Sequence, residues 1–215
     1  MKVTAPQLPC MLEEGIPLEE ALAMTGADEA PLEAFEFHGG SAAGAALEKG
    51  ELFASRFSHC RFTGAALHKS DVRDCVFEHC DLSGARFLEA TLRRCVFRGC
   101  KLAGANFGGA SLEDVTFESC AGVGAVFSEA VFKSVAFTAC KLDDAWFVDV
   151  RARGPYQFID CALCRADFLR TPMAGQDLSS CDIEGIAVAG PELKGAKVSA
   201  LQACELARLL GVTIV

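Results

Sequence analysis

Seven cysteines recur at one interval: Cys60, Cys80, Cys100, Cys120 and Cys140, then Cys161 and Cys181 after a shift of one. Thiols in series supply soft-metal sites and disulfide frameworks. His59 and His79 each precede one of them, which adds a second type of zinc ligand. Paired carboxylates stand at Asp143 and Asp144, the groups of general acid–base chemistry. The stretch FGGAS, from Phe107, carries glycines of the kind that cradle phosphate. Each reading requires the side chains to converge on one point, and the intervals decide whether they do.

The intervals belong to a repeat. From Phe37 a large apolar residue returns every five positions, as in Leu47, Leu52, Phe57, Phe62, Leu67, Val72 and Phe77, onward to Phe147. Two places earlier stands a small residue: Ala65, Ser70, Cys75, Cys80, Ala85, Ala90. Positions two apart in extended backbone point to the same side, so each unit turns one large and one small side chain inward. Sorting by twenty gives one column of Cys, one of Ala (Ala45 to Ala166), and one of Phe (Phe37, Phe57, Phe77, Phe97, Phe117, Phe137, Phe158). A facing column holds Phe87, Phe107, Phe127, Phe147 and Phe168. Four units therefore make one coil, and like residues stack from coil to coil. The corner after the Cys position repeats Gly44, Gly64, Gly84, Gly104, Gly124 and Gly185, which suits a turn with positive φ.

The repeat dissolves most of the apparent chemistry. The cysteines replace Ala and Ser at an inward position, where a free thiol behaves as a small hydrophobe. Stacked coils bring their Cα atoms within disulfide range, but parallel Cβ vectors give the wrong torsion. His59 and His79 point outward while their neighbouring thiols point inward, so no pair chelates and no metal site is expected. Asp143 and Asp144 sit on a corner with no His or nucleophile motif nearby, and FGGAS lacks the Lys of a phosphate loop. An interior filled by Phe and Cys leaves no pocket for catalysis. The expectation is a protein that is not an enzyme and takes no cofactor.

The stretch CDLSGARFLEATLRRCVFRGCKLAGANF resembles the pentapeptide-repeat proteins, whose unit is A-(D/N)-L-X-X. The resemblance spans about residues 35–198 and implies an all-β fold, a right-handed quadrilateral parallel β-helix. About eight coils at ~4.8 Å spacing give a rod near ~40 Å long. One residue is inserted near RGPYQ, where Gly154-Pro155 fits a protruding corner. Local strain relief and a recognition corner presenting Tyr156 are the two readings of that break.

Open solenoid ends need covers. Residues 1–34 lack the repeat and read as an acidic N-terminal cap over the first coil, with one short helix in PLEEALAM from Pro17. Residues 199–215 contain SALQACELARLLG, with a Ser199–Gln202 capping box, Gly211 as C-cap, and the apolar strand VTIV. This end resembles the C-termini of the Qnr-type quinolone-resistance proteins. The resemblance implies homodimerisation through Leu201, Leu206, Leu209, Leu210, Val212 and Ile214.

The formal charge is −9, which argues against direct nucleic-acid binding. Residues 37–112 carry +3 and residues 113–192 carry −7. Arg86, Arg93, Arg94, Arg98 and Lys101 form a basic cluster on the early coils, read as a solvated face. Twelve cysteines without a signal peptide point to reduced thiols in a cytoplasm, and no stretch is long and apolar enough for a membrane span. Val123, Val126, Val131, Trp146 and Val148 point outward together, and Trp146 is the sole tryptophan. The candidate partner-binding residues are Trp146, Val126, Asp143, Asp144, Asp149 and Tyr156. The Qnr-type resemblance implies a DNA mimic that binds DNA gyrase or topoisomerase IV. The alternative is a structural scaffold or regulatory binder of another cytoplasmic protein.

Overall fold

A five-residue unit that must turn two side chains inward has room for one short extended segment and one corner. The structure, a computed structural model, describes residues 1–22, 31–209 and 211–213. The chain winds a four-sided parallel β-helix. On two adjacent faces the segments are hydrogen-bonded strands. One face stacks β1 (Leu32–Glu33), β3 (Glu51–Phe53), β5 (Asp71–Arg73) and β10 (Arg151–Ala152). The next stacks β2 (Glu36–His38), β4 (Arg56–Ser58), β6 (Val76–Glu78) and β11 (Tyr156–Ile159). Between them β7 (Thr91–Arg98), β8 (Ser111–Glu118) and β9 (Val131–Thr138) run through the corner and serve both faces. The register advances by twenty, Phe77 to Phe97 to Phe117 to Phe137, and by twenty-one to Phe158.

The other two faces are joined by single bridges. One column runs Ser41, Arg61, Asp81, Lys101, Ala121, Lys141, Ala162, Asp182, and the other runs Ala46 through Asn106, Val126 and Trp146 to Asp167 and Ala187. Their corners are closed by β-turn bonds, such as Ala105 N–H to Leu102 O at 2.9 Å and Ala110 N–H to Phe107 O at 3.0 Å. The strand ladder from Leu32 to Ala152 makes six turns, against about eight expected, and bridges alone carry the last coils to Lys197.

Most corners take the left-handed backbone region. Gly104 takes φ 61° and Gly124 φ 66°, but among the described residues 19 non-glycine residues adopt positive φ as well, including Arg94, Asp114 and Asp144. Such an L-residue costs roughly 1–2 kcal/mol, and the interior offsets it. Phe77, Phe97, Phe117 and Phe137 stack face to face with centroids 4.8–4.9 Å apart. Phe97, Phe117 and Phe137 meet Phe107 or Phe127 edge-on at 5.3–6.2 Å. Each buried ring stabilises by about 1.5–3 kcal/mol, and each ring pair adds about 0.5–1.5 kcal/mol.

The cysteine column is part of this packing. Cys80, Cys100, Cys120 and Cys140 direct their thiols at the carbonyls of Phe57, Phe77, Phe97 and Phe117 on the preceding coil, at 3.2–3.3 Å. A second inward pair, Cys75 and Cys95, is also buried. Burial pushes the Cys95 thiol up to about 12 and the Cys75 thiol well above its ordinary value. These are neutral thiols acting as small weak donors. Cys10 and Cys204 are exposed.

The inserted residue has a packing explanation. Ala152 pairs with Phe132 in the old register, and Tyr156 pairs with Val135 in the new one. Ala152 is exposed, so the large inward residue of that unit is missing. Tyr156 turns in to fill the space, packing against Phe132 at 5.7 Å and Phe158 at 6.0 Å. Its hydroxyl donates to Pro172 O at 2.6 Å. The residue is only 5% exposed, which rules out a recognition corner presenting Tyr156. The added main-chain residue accommodates a tyrosine in a column of small side chains.

The two ends are finished differently. A helical turn at 18–22 covers the first coil, with Leu18 and Leu22 buried and the Glu19 carboxylate accepting from Ser41 N–H at 2.7 Å. Residues 1–13 follow another path, along the outside of the rod. Glu13 bridges Phe35, Gln7 N–H donates to Asp74 at 2.8 Å, and Thr4 N–H donates to Asp114 at 3.1 Å. Met1 lies in a cleft with Pro155, Ile159 and Ser179. Thr4 to Gln7 crosses two coils in three residues, close to the ~3.3–3.6 Å per residue of extended chain. This strap clips several coils together.

At the other end the helix Ala200–Leu209 seats on the last coils. The Ser199–Gln202 capping box forms, and the Gln202 amide also donates to Leu178 O and Cys181 O. Leu206 is buried against the rod, so it belongs to the cap and is unavailable to the dimer contact expected of it. Leu201, Leu209 and Val212 are exposed, while Leu210 and Ile214 lie outside the described residues.

Candidate interaction surface

Outward positions of the β-helix form columns too, so a surface site is assembled by residues about twenty apart. Val126, Trp146 and Asp167 are successive members of one column. Trp146 is 52% exposed and Val123, on the adjoining corner, 46%. Val126, Val148 and Val131 are half-buried. Val123, Val126, Trp146 and Val148 lie along one face and its corners, and Val131 begins the strand β9 beyond the next corner. Asp167 completes the column, and its place was readable once the register shift of one was applied to position 146.

The expected carboxylates surround this patch but are not equivalent. Asp144 accepts both arms of the Arg165 guanidinium at 2.7 and 2.8 Å, and Asp149 accepts those of Arg170 at 2.6 and 2.5 Å. These hydrogen bonds hold both carboxyls below the ordinary aspartate value. Their charge is therefore locally compensated. Asp143 instead accepts the Cys164 N–H at 3.0 Å. Asp167 accepts the Leu169 N–H at 2.9 Å through one oxygen. Neither Asp143 nor Asp167 has an ion-pair partner among the described residues.

Three of the five cations in the basic cluster of the early coils are likewise compensated. Arg94 makes a two-armed pair with Asp74, Arg93 pairs with Glu113, and Arg98 bridges Glu78 and Glu118. Among the described residues no group of three His, Cys, Asp or Glu is arranged to hold a metal, and no helix is long and apolar enough to cross a membrane. A surface cleft of about 570 Å³ beside the patch is lined by Glu129, Asp149, Arg151 and Arg170. It contains no histidine, serine or cysteine. The arrangement offers contact area and charged side chains.

A pentapeptide-repeat model of eight copies matches residues 60–99, and a pentapeptide-repeat-region model matches residues 91–154. Pentapeptide repeats therefore run through residues 60–154 of the chain. Among solved structures it is similar to a trypsin-treated variant of QnrB1, a plasmid-mediated fluoroquinolone resistance protein, with 18% identity and a TM-score of 0.54 over 84% of this chain and 98% of that one. Full-length QnrB1 gives 17% identity and 0.49 over 82% and 100%. HetL, a pentapeptide-repeat protein from the cyanobacterium Nostoc sp. strain PCC 7120, gives 19% identity and 0.40 over 85% and 95%. At these identities the likeness concerns the fold. No curated protein matches the sequence.

Proposed function

We propose that this pentapeptide-repeat protein is a non-enzymatic protein-interaction module whose docking face is centred on Trp146. The supporting observation is a 52% exposed tryptophan in a chain that hides its phenylalanine columns almost completely. Large exposed aromatics on a rigid surface are the usual anchors of protein contacts. A homodimer joined end to end is part of this reading, with Leu201, Leu209 and Val212 as its exposed apolar contacts.

The finer reading is a DNA mimic that binds a type II topoisomerase, DNA gyrase or topoisomerase IV, in the cytoplasm and relieves its inhibition by quinolones. An acidic rod can occupy a groove lined with Lys and Arg. Compensation of Asp144 and Asp149 moves this role to carboxylates without an ion-pair partner among the described residues, among them Glu129, Asp143, Asp160, Asp167, Asp177, Asp182 and Glu184. The test is plasmid supercoiling by purified gyrase across a titration of this protein, with and without a fluoroquinolone. Inhibition of supercoiling or relief of the drug supports mimicry. No effect up to ~10 µM, where even a complex of about −7 kcal/mol is populated, leaves a structural scaffold or regulatory binder of another protein.

A further inference from the structure

We propose that the Trp146 face is an acceptor site for an arginine side chain of a protein partner. The inference rests on the interaction-module reading and adds the chemistry of what docks. The indole ring is 52% exposed. Among the described residues its ring has no aromatic partner, and the cation–π contact present elsewhere is Arg73 over Phe53. The protein's own arginines do not cover it. Arg165 and Arg170, on the two corners that bound the face, are each held by a two-armed bond to Asp144 or Asp149.

The surroundings of the ring select the ligand. Val126 lies one coil before Trp146 and Asp167 one coil after, in bridge register. Asp167 accepts the Leu169 N–H and Asp143 accepts the Cys164 N–H, each through one carboxylate oxygen, and neither is in an ion pair among the described residues. With both corner arginines compensated, the face has an aromatic and aliphatic floor and a negative rim. A planar, weakly hydrated guanidinium stacks on indole and donates to a carboxylate at the same time. An ammonium is compact and strongly hydrated, so it loses more on reaching the apolar floor. The site therefore distinguishes arginine from lysine, which a uniformly acidic rod does not.

The test uses the full-length protein and two peptides, nona-arginine and nona-lysine, at equal ionic strength. Trp146 is the only tryptophan, so its fluorescence reports on this face alone. Nona-arginine is expected to quench and shift the emission and to bind about tenfold more tightly than nona-lysine, since a partly desolvated cation–π contact is worth about 1–2 kcal/mol. With labelled peptide and anisotropy as the readout, W146L should lose that preference, W146F should keep most of it, and D167N should weaken arginine binding about three- to fivefold. Equal binding of the two peptides, or an undiminished preference in W146L, overturns the proposal in favour of a diffuse acidic surface. A blue shift of the emission with protein concentration alone also overturns it, in favour of a second copy of this chain. The supercoiling assay separates the two readings: arginine preference without any gyrase effect supports this site and discards the topoisomerase.

Discussion

Up to about residue 133 the outer charges run in axial ladders: Glu36, Arg56, Glu78, Arg98 and Glu118 alternate in sign over five coils, and Arg93, Glu113 and Lys133 form a second series. From Asp143 onward the pairing is reduced to separate couples, Asp144 with Arg165 and Asp149 with Arg170. The late coils also hold the exposed Trp146, the inserted residue and the buried Tyr156. The interior, however, barely changes across that boundary: Phe117 and Phe147 are each 1% exposed and each stacks on its column neighbours. A repeat protein of this kind can change its surface coil by coil because stability is carried inside. The departure from the ladder coincides with the docking face proposed around Trp146.

The strongest test of that contrast is in the core. Phe117→Ala and Phe147→Ala should each cost about 3–5 kcal/mol, because rigid coils above and below cannot collapse onto the gap. Chemical denaturation should give similar losses for the two. A cost for Phe147→Ala below half that of Phe117→Ala would break the claim that early and late coils share one kind of interior.

Tyr156→Phe comes next. It keeps the ring in its space and leaves Pro172 O without its donor, for about 1–2 kcal/mol. An unchanged melting temperature would show that the tyrosine hydroxyl plays no part in settling the inserted corner. Glu113→Gln interrupts a ladder on the surface, and exposed pairs contribute at most about 1 kcal/mol. Its effect should shrink further in high salt, and a loss as large as that of Tyr156→Phe would promote the ladders to a principal source of early-coil stability.

The smallest expected effect is local and depends on pH. Burial raises the Asp74 carboxyl, but the hydrogen bonds from Arg94 and the Gln7 N–H outweigh it and hold the group below its ordinary value. A depressed carboxyl contributes its stabilisation above the unfolded value, about 3.9, and loses it as pH falls through the lower folded value. The strap should therefore stay docked at pH 5–7 (roughly neutral conditions) and loosen below about pH 4. Hydrogen exchange at the Gln7 amide measures this directly. Protection at neutral pH that is unchanged in Asp74→Ala would mean that Asp74 does not hold the strap.

Much of the molecule was legible before any coordinates. A five-residue alternation repeated some thirty times leaves little freedom over which side chains face in, so the Phe, Ala and Cys columns followed from spacing. The glycine corners did too, although the structure extends positive φ to Arg94, Asp114 and other residues whose identity gives no hint of it. The Ser199–Gln202 capping box was equally local. Each of these depends on residues a few positions apart or on a period that is visible many times over.

What the tertiary structure alone decided involves residues with many competing partners. Thr4 and Gln7 find Asp114 and Asp74 across separations of 110 and 67 residues, and no periodicity announces that meeting. Asp144 and Asp149 read as free acids until the coil above supplies Arg165 and Arg170. Leu206 and Leu201 stand about 140° apart on the helix, and docking of the helix decided which of the two sides is buried. Tyr156 turned inward because Ala152 left a space one unit earlier. Surface pairs and caps of this kind are worth about 1 kcal/mol or less each. Sequence pattern therefore determined the interior, where burial energies dominate, and only the folded geometry could choose among surface partners so nearly equal in energy.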